Sequence, residues 1–211
     1  MYSCGQSMTR EYNVDDKKIT SAKANVQQTL ELLGIDVHGD ANFQGTADRW
    51  TKFLLDYLQP YDPKKDLEVT FPLQRKPMSV YDRAMVVQTG IPYRAVCAHH
   101  LLPVLGIAHV GYIPSDHVVG LSKLTRLVYG ISHSSPSLQE DVCDSITHAL
   151  MEHLGAQGAI CVVSAEHGCM AARGVEEASG LVQTVTSSIA GVFANDNKAR
   201  QEFYKLVELR R

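Results

Sequence analysis

The order in which hydrophobic periodicity changes along these 211 residues leaves few folds open. From about residue 67 to 113 the chain carries short β-favouring runs, "LEVTF", "AMVVQT", "YRAVCA" and "GIAHVGYI", separated by Pro and Gly. From about Ser122 the repeat becomes helical, with Leu124, Leu127, Val128 and Ile131 directed inward. After a Ser-rich break, "SHSSPS", a longer helix carries Leu138, Val142, Ile146, Ala149, Leu150 and Leu154 on one side and ends at Gly155. Two further strands follow, "GAICVVSAEH" and "LVQTVTSSI", and then an amphipathic helix from near Asp196. Strands, two helices, strands is an α+β order.

Upstream the texture differs. A polar lead of about 14 residues precedes Ile19, Val26, Leu30 and Leu33 at helical spacing, which Gly34 stops. Trp50, Phe53, Leu54, Tyr57 and Leu58 form a second stripe, with Thr46 and Asp48 as cap candidates. "YDPKKD" reads as a connector. The expected organisation is a tail and helical hairpin over 1–62 and a main domain over 63–211. Hydrophobic residues make up 45% of the chain, enough to fill a core. Twenty Lys and Arg stand against 23 Asp and Glu, so no basic field advertises nucleic acid and any anion site must be local. Neither a secretory signal nor a membrane anchor is visible, and the apolar stretch Leu101 to Ala108 is too short to span a bilayer; a cytoplasmic protein is expected. Five scattered cysteines argue against a disulfide framework and leave metal or catalytic roles open.

Two segments concentrate the chemistry. "YRAVCAHH" places Cys97, His99 and His100 within four positions, and "SAEHGCMAARG" places His167 and Cys169 two apart, on one face if the strand continues. Taken singly, each is as well explained by a buried thiol or a satisfied core histidine; together they point to a metal. Cys97-x-x-His100 is a tight pair of donors, and Cys169 would complete three, a number that leaves a catalytic zinc one open position. His99 and His167 would then stand beside the metal as proton carriers. Cys143 and Cys161 read as core and Cys4 as tail.

A second constellation, "GLSKLTRLV", puts Ser122, Lys123 and Arg126 at the start of a helix, where cations oppose the helix dipole and an anion would remove the conflict. A solvated helix face is the plain alternative. Arg173 could bring another cation to the same region. Gln139 and Glu140 open the long helix, where acidic residues are favoured anyway, although a carboxylate also suits the donor edge of guanine.

With these residues in place the chain resembles the GTP cyclohydrolase I family from about Thr46 to Phe203. The stretches that carry the likeness are Cys97 to His100, Gly120 to Arg126, Gln139 with Glu140, Ala165 to Val175, Thr184 to Ser187 and Gly191 to Phe193. The resemblance implies the tunnelling fold: an antiparallel sheet with two helices on one face, joined between subunits into barrels of a homo-oligomer, usually a decamer with active sites at subunit interfaces. It implies zinc-dependent hydrolysis of GTP at C8, loss of formate and ring closure to 7,8-dihydroneopterin triphosphate. By motif, Cys97, His100 and Cys169 bind zinc, and His99 and His167 move protons. Ser122, Lys123, Arg126 and Arg173 hold the triphosphate, Gln139 and Glu140 lie on the substrate with Glu140 anchoring guanine, and Ser122 assists the sugar chemistry.

The chain also departs from that pattern. Ala98 stands where the family has Glu, "SHSSPSL" replaces a stretch that carries Arg, and Gln183 stands where Lys is common. These changes keep two other readings open: an enzyme that stops after ring opening or takes a related purine nucleotide, and an inactive zinc-stabilised nucleotide-binding subunit. The paired His99 and His167 weigh against the second.

Overall fold

Alternating inward and outward side chains build one four-stranded antiparallel sheet from β2 (Val86–Val96), β3 (Pro103–Ile113), β5 (Gly158–His167) and β6 (Thr184–Gly191), in the order β2-β3-β5-β6. This computed structural model describes residues 14–73, 84–173 and 182–209. The chain divides into two compact units, Met1–Pro60 and Tyr61–Arg211.

In the larger unit, Ile91, Tyr93 and Ala95 of β2, Val104, Ala108 and Val110 of β3, and Ala159, Cys161, Val163 and Ala165 of β5 point to one buried face. Helix α4 (Leu121–Ser134) lies against β2, and α5 (Gln139–Glu152) against β5 and β6. The expected inward stripes are largely present: Leu124, Leu127 and Val128 of α4 and Ile146 and Leu150 of α5 are fully buried, whereas Leu138, expected inward, is the N-cap of α5 and is exposed. Cys143 and Cys161 are buried in this core, and Cys4 lies outside the described residues. Each fully buried aliphatic side chain contributes about 1.5–3 kcal/mol of transfer free energy, so this layer is the main source of stability. Mixed helix and antiparallel sheet, with both long helices on one face, is consistent with the tunnelling fold.

Among the described residues, part of the opposite sheet face is uncovered. Leu105 and Ile107 of β3 and Val185 and Ile189 of β6 are between 40% and 64% exposed. At one end, α7 (Val192–Asn195) and α8 (Asn197–Glu208) close a smaller cluster of Ile113, Ile160, Phe193 and Phe203. Asp196 caps α8 by accepting from the Lys198 N–H at 2.8 Å.

Three short elements set the start of α4. Strand β1 (Thr70–Pro72) pairs antiparallel with β4 (His117–Val119). The buried Tyr112 hydroxyl accepts from the Val119 N–H at 3.0 Å, which fixes β4 two residues before α4 begins. The segment read as a plain connector is a helix, α3 (Pro63–Leu67): Asp62 accepts from the Lys64 N–H, and Pro63 has the φ that a first helical turn needs.

The smaller unit is a pair of helices, α1 (Asp16–Leu32) and α2 (Thr46–Asp56). Gly45, with φ +74°, is the N-cap of α2, and neither Thr46 nor Asp48 caps it; Thr46 is the first helical residue and accepts from Arg49. The buried face of α2 is Ala47, Thr51 and Leu55, so Trp50 turns outward at 43% exposed. Leu33, expected inward, is exposed.

Candidate metal centre and substrate pocket

The helix-facing side of the sheet runs out at one edge, and three donors meet there. Cys97 follows the last residue of β2 and keeps its period-2 direction. A tight turn follows, closed by the Leu101 N–H to the Cys97 carbonyl at 2.9 Å and the Cys97 N–H to the Leu102 carbonyl at 3.0 Å, with Leu101 at φ +53°. That turn brings His100 back over Cys97. Cys169 arrives differently from the expected strand continuation: β5 ends at His167, and Cys169 sits in a helical turn, α6 (Gly168–Ala171). A Cβ at residue 168 would meet the Pro103 carbonyl at 2.8 Å, so only glycine lets the chain turn so close to β3.

The donor atoms of Cys97, His100 and Cys169 all lie within 4.8 Å of one another. Both thiols are buried and His100 is exposed. Burial and the neighbouring Cys97 sulfur push the Cys169 thiol up, partly offset by the Arg173 guanidinium. A divalent cation would supply the charge that lets the raised Cys169 thiol ionise. The donor set therefore fits a metal ion, and two thiolates with one imidazole leave a tetrahedral ion one open position.

These three residues share a pocket of about 280 Å³ with His99, His167, Gln139, Glu140 and Arg173. His99 places its Nδ1 3.8 Å from the Cys97 sulfur. His167 is half-buried, with Nε2 2.8 Å from Gln139 Oε1. Gln139 is 3% exposed, and its amide nitrogen donates to the Val163 carbonyl, the Thr184 carbonyl and Thr186 Oγ1 at 3.0–3.1 Å. Its polar atoms are thus bonded inside the fold, and it holds His167 at the pocket wall. Arg173 donates through Nε to the Cys169 carbonyl at 2.8 Å and lines the same pocket. Glu140 is exposed in the first turn of α5.

Ser122, Lys123 and Arg126 are not among the residues lining this pocket. Lys123 Nζ meets Asp66 Oδ1 at 2.7 Å, both side chains only 15% and 17% exposed, while Arg126 lies 3.8 Å from the same carboxylate and is 64% exposed. Within the chain, the anion that the start of α4 demanded is Asp66. Sequence reasoning missed Asp66 because it lies 57 residues from Lys123 in a segment read as a connector. It also missed Tyr93, which lines the pocket; its alternation with Ile91 and Ala95 was the available signal.

A Cys₂His donor set beside two further imidazoles and a carboxylate is a layout suited to metal-assisted hydrolysis. The family model described as GTP cyclohydrolase I matches residues 22–208. The chain is similar to GTP cyclohydrolase 1 of Streptococcus pneumoniae (strain ATCC 700669 / Spain 23F-1), 42% identical over 196 residues, 93% of this chain and 100% of that one. It is 36% identical over 194 residues to GTP cyclohydrolase 1 of Streptococcus sanguinis (strain SK36), covering 92% and 99% of the two chains. GTP cyclohydrolase 1 of Halalkalibacterium halodurans is 37% identical over 198 residues. The protein belongs to the GTP cyclohydrolase I family.

Proposed function

We propose that this protein is a zinc-dependent GTP cyclohydrolase that converts GTP to 7,8-dihydroneopterin triphosphate with release of formate. The observation that carries the reading is the meeting of Cys97, His100 and Cys169 within 4.8 Å in a pocket that also holds His99, His167 and Glu140. Cys97, His100 and Cys169 hold the zinc, which supplies Lewis acidity and an activated water when bound. Glu140 accepts from the N1–H and amino group of guanine in one plane. Gln139 Oε1 takes the proton on His167 Nε2 as its hydrogen bond, so Nδ1 is the nitrogen that exchanges a proton with the purine ring. His99, beside the Cys97 sulfur, is the second proton carrier. Ser122 assists the sugar chemistry, and Arg173, Lys123 and Arg126 hold the triphosphate.

A pocket of about 280 Å³ is at the small end for ligand sites, so a nucleoside triphosphate extends beyond it. This supports a site completed by a second copy, whose Ser122, Lys123 and Arg126 face the phosphates. The exposed apolar row of Leu105, Ile107 and Val185 supports the same reading, because uncovered patches of this kind mark interfaces. We place the protein in the cytoplasm as a homo-oligomer, a decamer on the family pattern, with no nucleic-acid or membrane partner. No helix among the described residues is long and apolar enough to cross a membrane.

The test is incubation of the purified protein with GTP, with the product identified by mass and by fluorescence after oxidation. Dihydroneopterin triphosphate with stoichiometric formate is expected. A ring-opened nucleotide that accumulates would replace this reading with an enzyme that stops early; no turnover by the zinc-loaded protein would replace it with a binding subunit.

A further inference from the structure

Lys123 occupies the first turn of α4, where a cation opposes the helix dipole, and a carboxylate from another element has been built against it. Asp66 of α3 accepts from Lys123 Nζ at 2.7 Å through Oδ1, and from the Tyr61 hydroxyl at 3.2 Å through Oδ2. Arg126 Nη1 stands 3.8 Å from the same Oδ1. Tyr61 is itself seated by α4: a Cβ on Gly130 would overlap the tyrosine ring, so the missing side chain makes its place. Burial and the Asp66 charge push the Tyr61 phenol up, which keeps it protonated as a donor. Helix α4 thus supplies both the ammonium that Asp66 binds and the gap that seats the tyrosine steadying its other oxygen.

We propose that Asp66 is an internal anion that occupies Lys123 until a ligand phosphate displaces it, and so sets how tightly this corner takes polyphosphate. The inference rests on the reading of Ser122, Lys123 and Arg126 as the phosphate site. In the ligand-free chain the carboxylate cancels one of two cations and keeps Lys123 ordered; Arg126, mostly exposed, is left to meet the incoming anion first. A polyphosphate that then reaches Lys123 either takes its donors from Asp66 or sits beside a like charge, and both cost affinity. The corner is thereby detuned: a phosphate chain long enough to engage Arg126 and Lys123 together can displace the carboxylate, whereas a single phosphate on Arg126 alone cannot.

The test is calorimetric titration of the full-length, zinc-loaded protein with inorganic tripolyphosphate at fixed ionic strength, in wild type, Asp66→Asn, Lys123→Ala and Arg126→Ala. Asp66→Asn is expected to tighten tripolyphosphate by about tenfold or more, while the two cation variants weaken it. Tyr61→Phe, which leaves the carboxylate in place, is expected to give no such gain. Unchanged or weaker binding in Asp66→Asn, with the cation variants still weakened, overturns the role given to Asp66 and leaves the phosphate site standing. Unchanged binding in both cation variants overturns the phosphate site itself. A carboxylate with a merely structural role would lower the unfolding midpoint without any gain in affinity, and Asp66→Ser repeats the measurement if the Asn variant does not fold.

Discussion

His167 Nε2 donates to Gln139 Oε1 at 2.8 Å, and the amide nitrogen of the same glutamine is bound to Val163, Thr184 and Thr186. One buried side chain at the start of α5 therefore fixes the orientation of an imidazole on β5 and ties it to β6. Three acceptors around the amide nitrogen settle which end of Gln139 faces the histidine, and with it the nitrogen of His167 that carries the proton.

Gln139→Leu removes that tie while keeping the volume. Each polar group left buried without a partner costs about 1–3 kcal/mol, so the unfolding midpoint should fall by several degrees. Turnover of GTP should fall more than affinity for GTP, because the imidazole loses its orientation and the guanine contact stays. A drop in guanosine affinity equal to the drop in turnover would show Gln139 to be a substrate contact instead.

Metal content and catalysis should separate at this site. Cys97→Ser and Cys169→Ser should lose both zinc and activity, whereas His167→Asn should keep about one zinc per chain and slow ring opening by a factor on the order of 10²–10⁴. Elemental analysis beside single-turnover kinetics reads both quantities. Loss of metal from His167→Asn would make that histidine a ligand and remove it as proton carrier.

The roles of Lys123 and Arg126 are read by comparing ligands with and without charge. Lys123→Ala and Arg126→Ala should weaken GTP by roughly 1.5–3 kcal/mol per charge-assisted contact and leave guanosine nearly unaffected. Equal losses for both ligands would assign the two residues to the fold alone.

Much of this site was legible because strand alternation and short-range spacing are local. Cys97 and His167 sit at strand ends that period-2 patterning exposes, His100 follows Cys97 at the short spacing of a donor pair, and α4 and α5 show their apolar stripes directly. Cys169 was placed in the right neighbourhood for an incomplete reason: the strand stops at His167, and a close approach to the Pro103 carbonyl, which the sequence does not display, turns the chain into α6. The ion pair of Asp66 and the tie from Gln139 to His167 are not visible in the sequence for another reason. Their meaning lies in partners 57 and 28 residues away, and neither spacing leaves a periodic trace.

Alkaline pH should weaken the fold through its buried phenols. Tyr93 and Tyr112 are 1% and 0% exposed, and burial pushes both phenols above their ordinary value, with the Val119 N–H partly offsetting this at Tyr112. A folded value above the unfolded one means that this contribution is fully present below about pH 10 and is lost as pH rises through the folded values. Urea unfolding between pH 7 and 11 should show the fall, and Tyr93→Phe should make it shallower. An identical slope in Tyr93→Phe would assign the alkaline loss to other groups.

Cys97 follows the end of β2 and Cys169 lies in the α6 turn just past β5, two strands that are not neighbours; β3 runs between them, and roughly 70 residues of chain separate the two sulfurs. An ion held by both would be a clasp across the sheet as well as a reagent. Its binding free energy would add to the free energy of folding, because the three donors are gathered only in the folded chain. The full donor set converges only where β2 and β5 flank β3, so removal of the ion would be felt first at these strand ends. A chelator should therefore loosen the β2 end and the α6 turn first, and hydrogen exchange at Cys97 and Leu101 should quicken while the α5-covered centre of β5 stays protected.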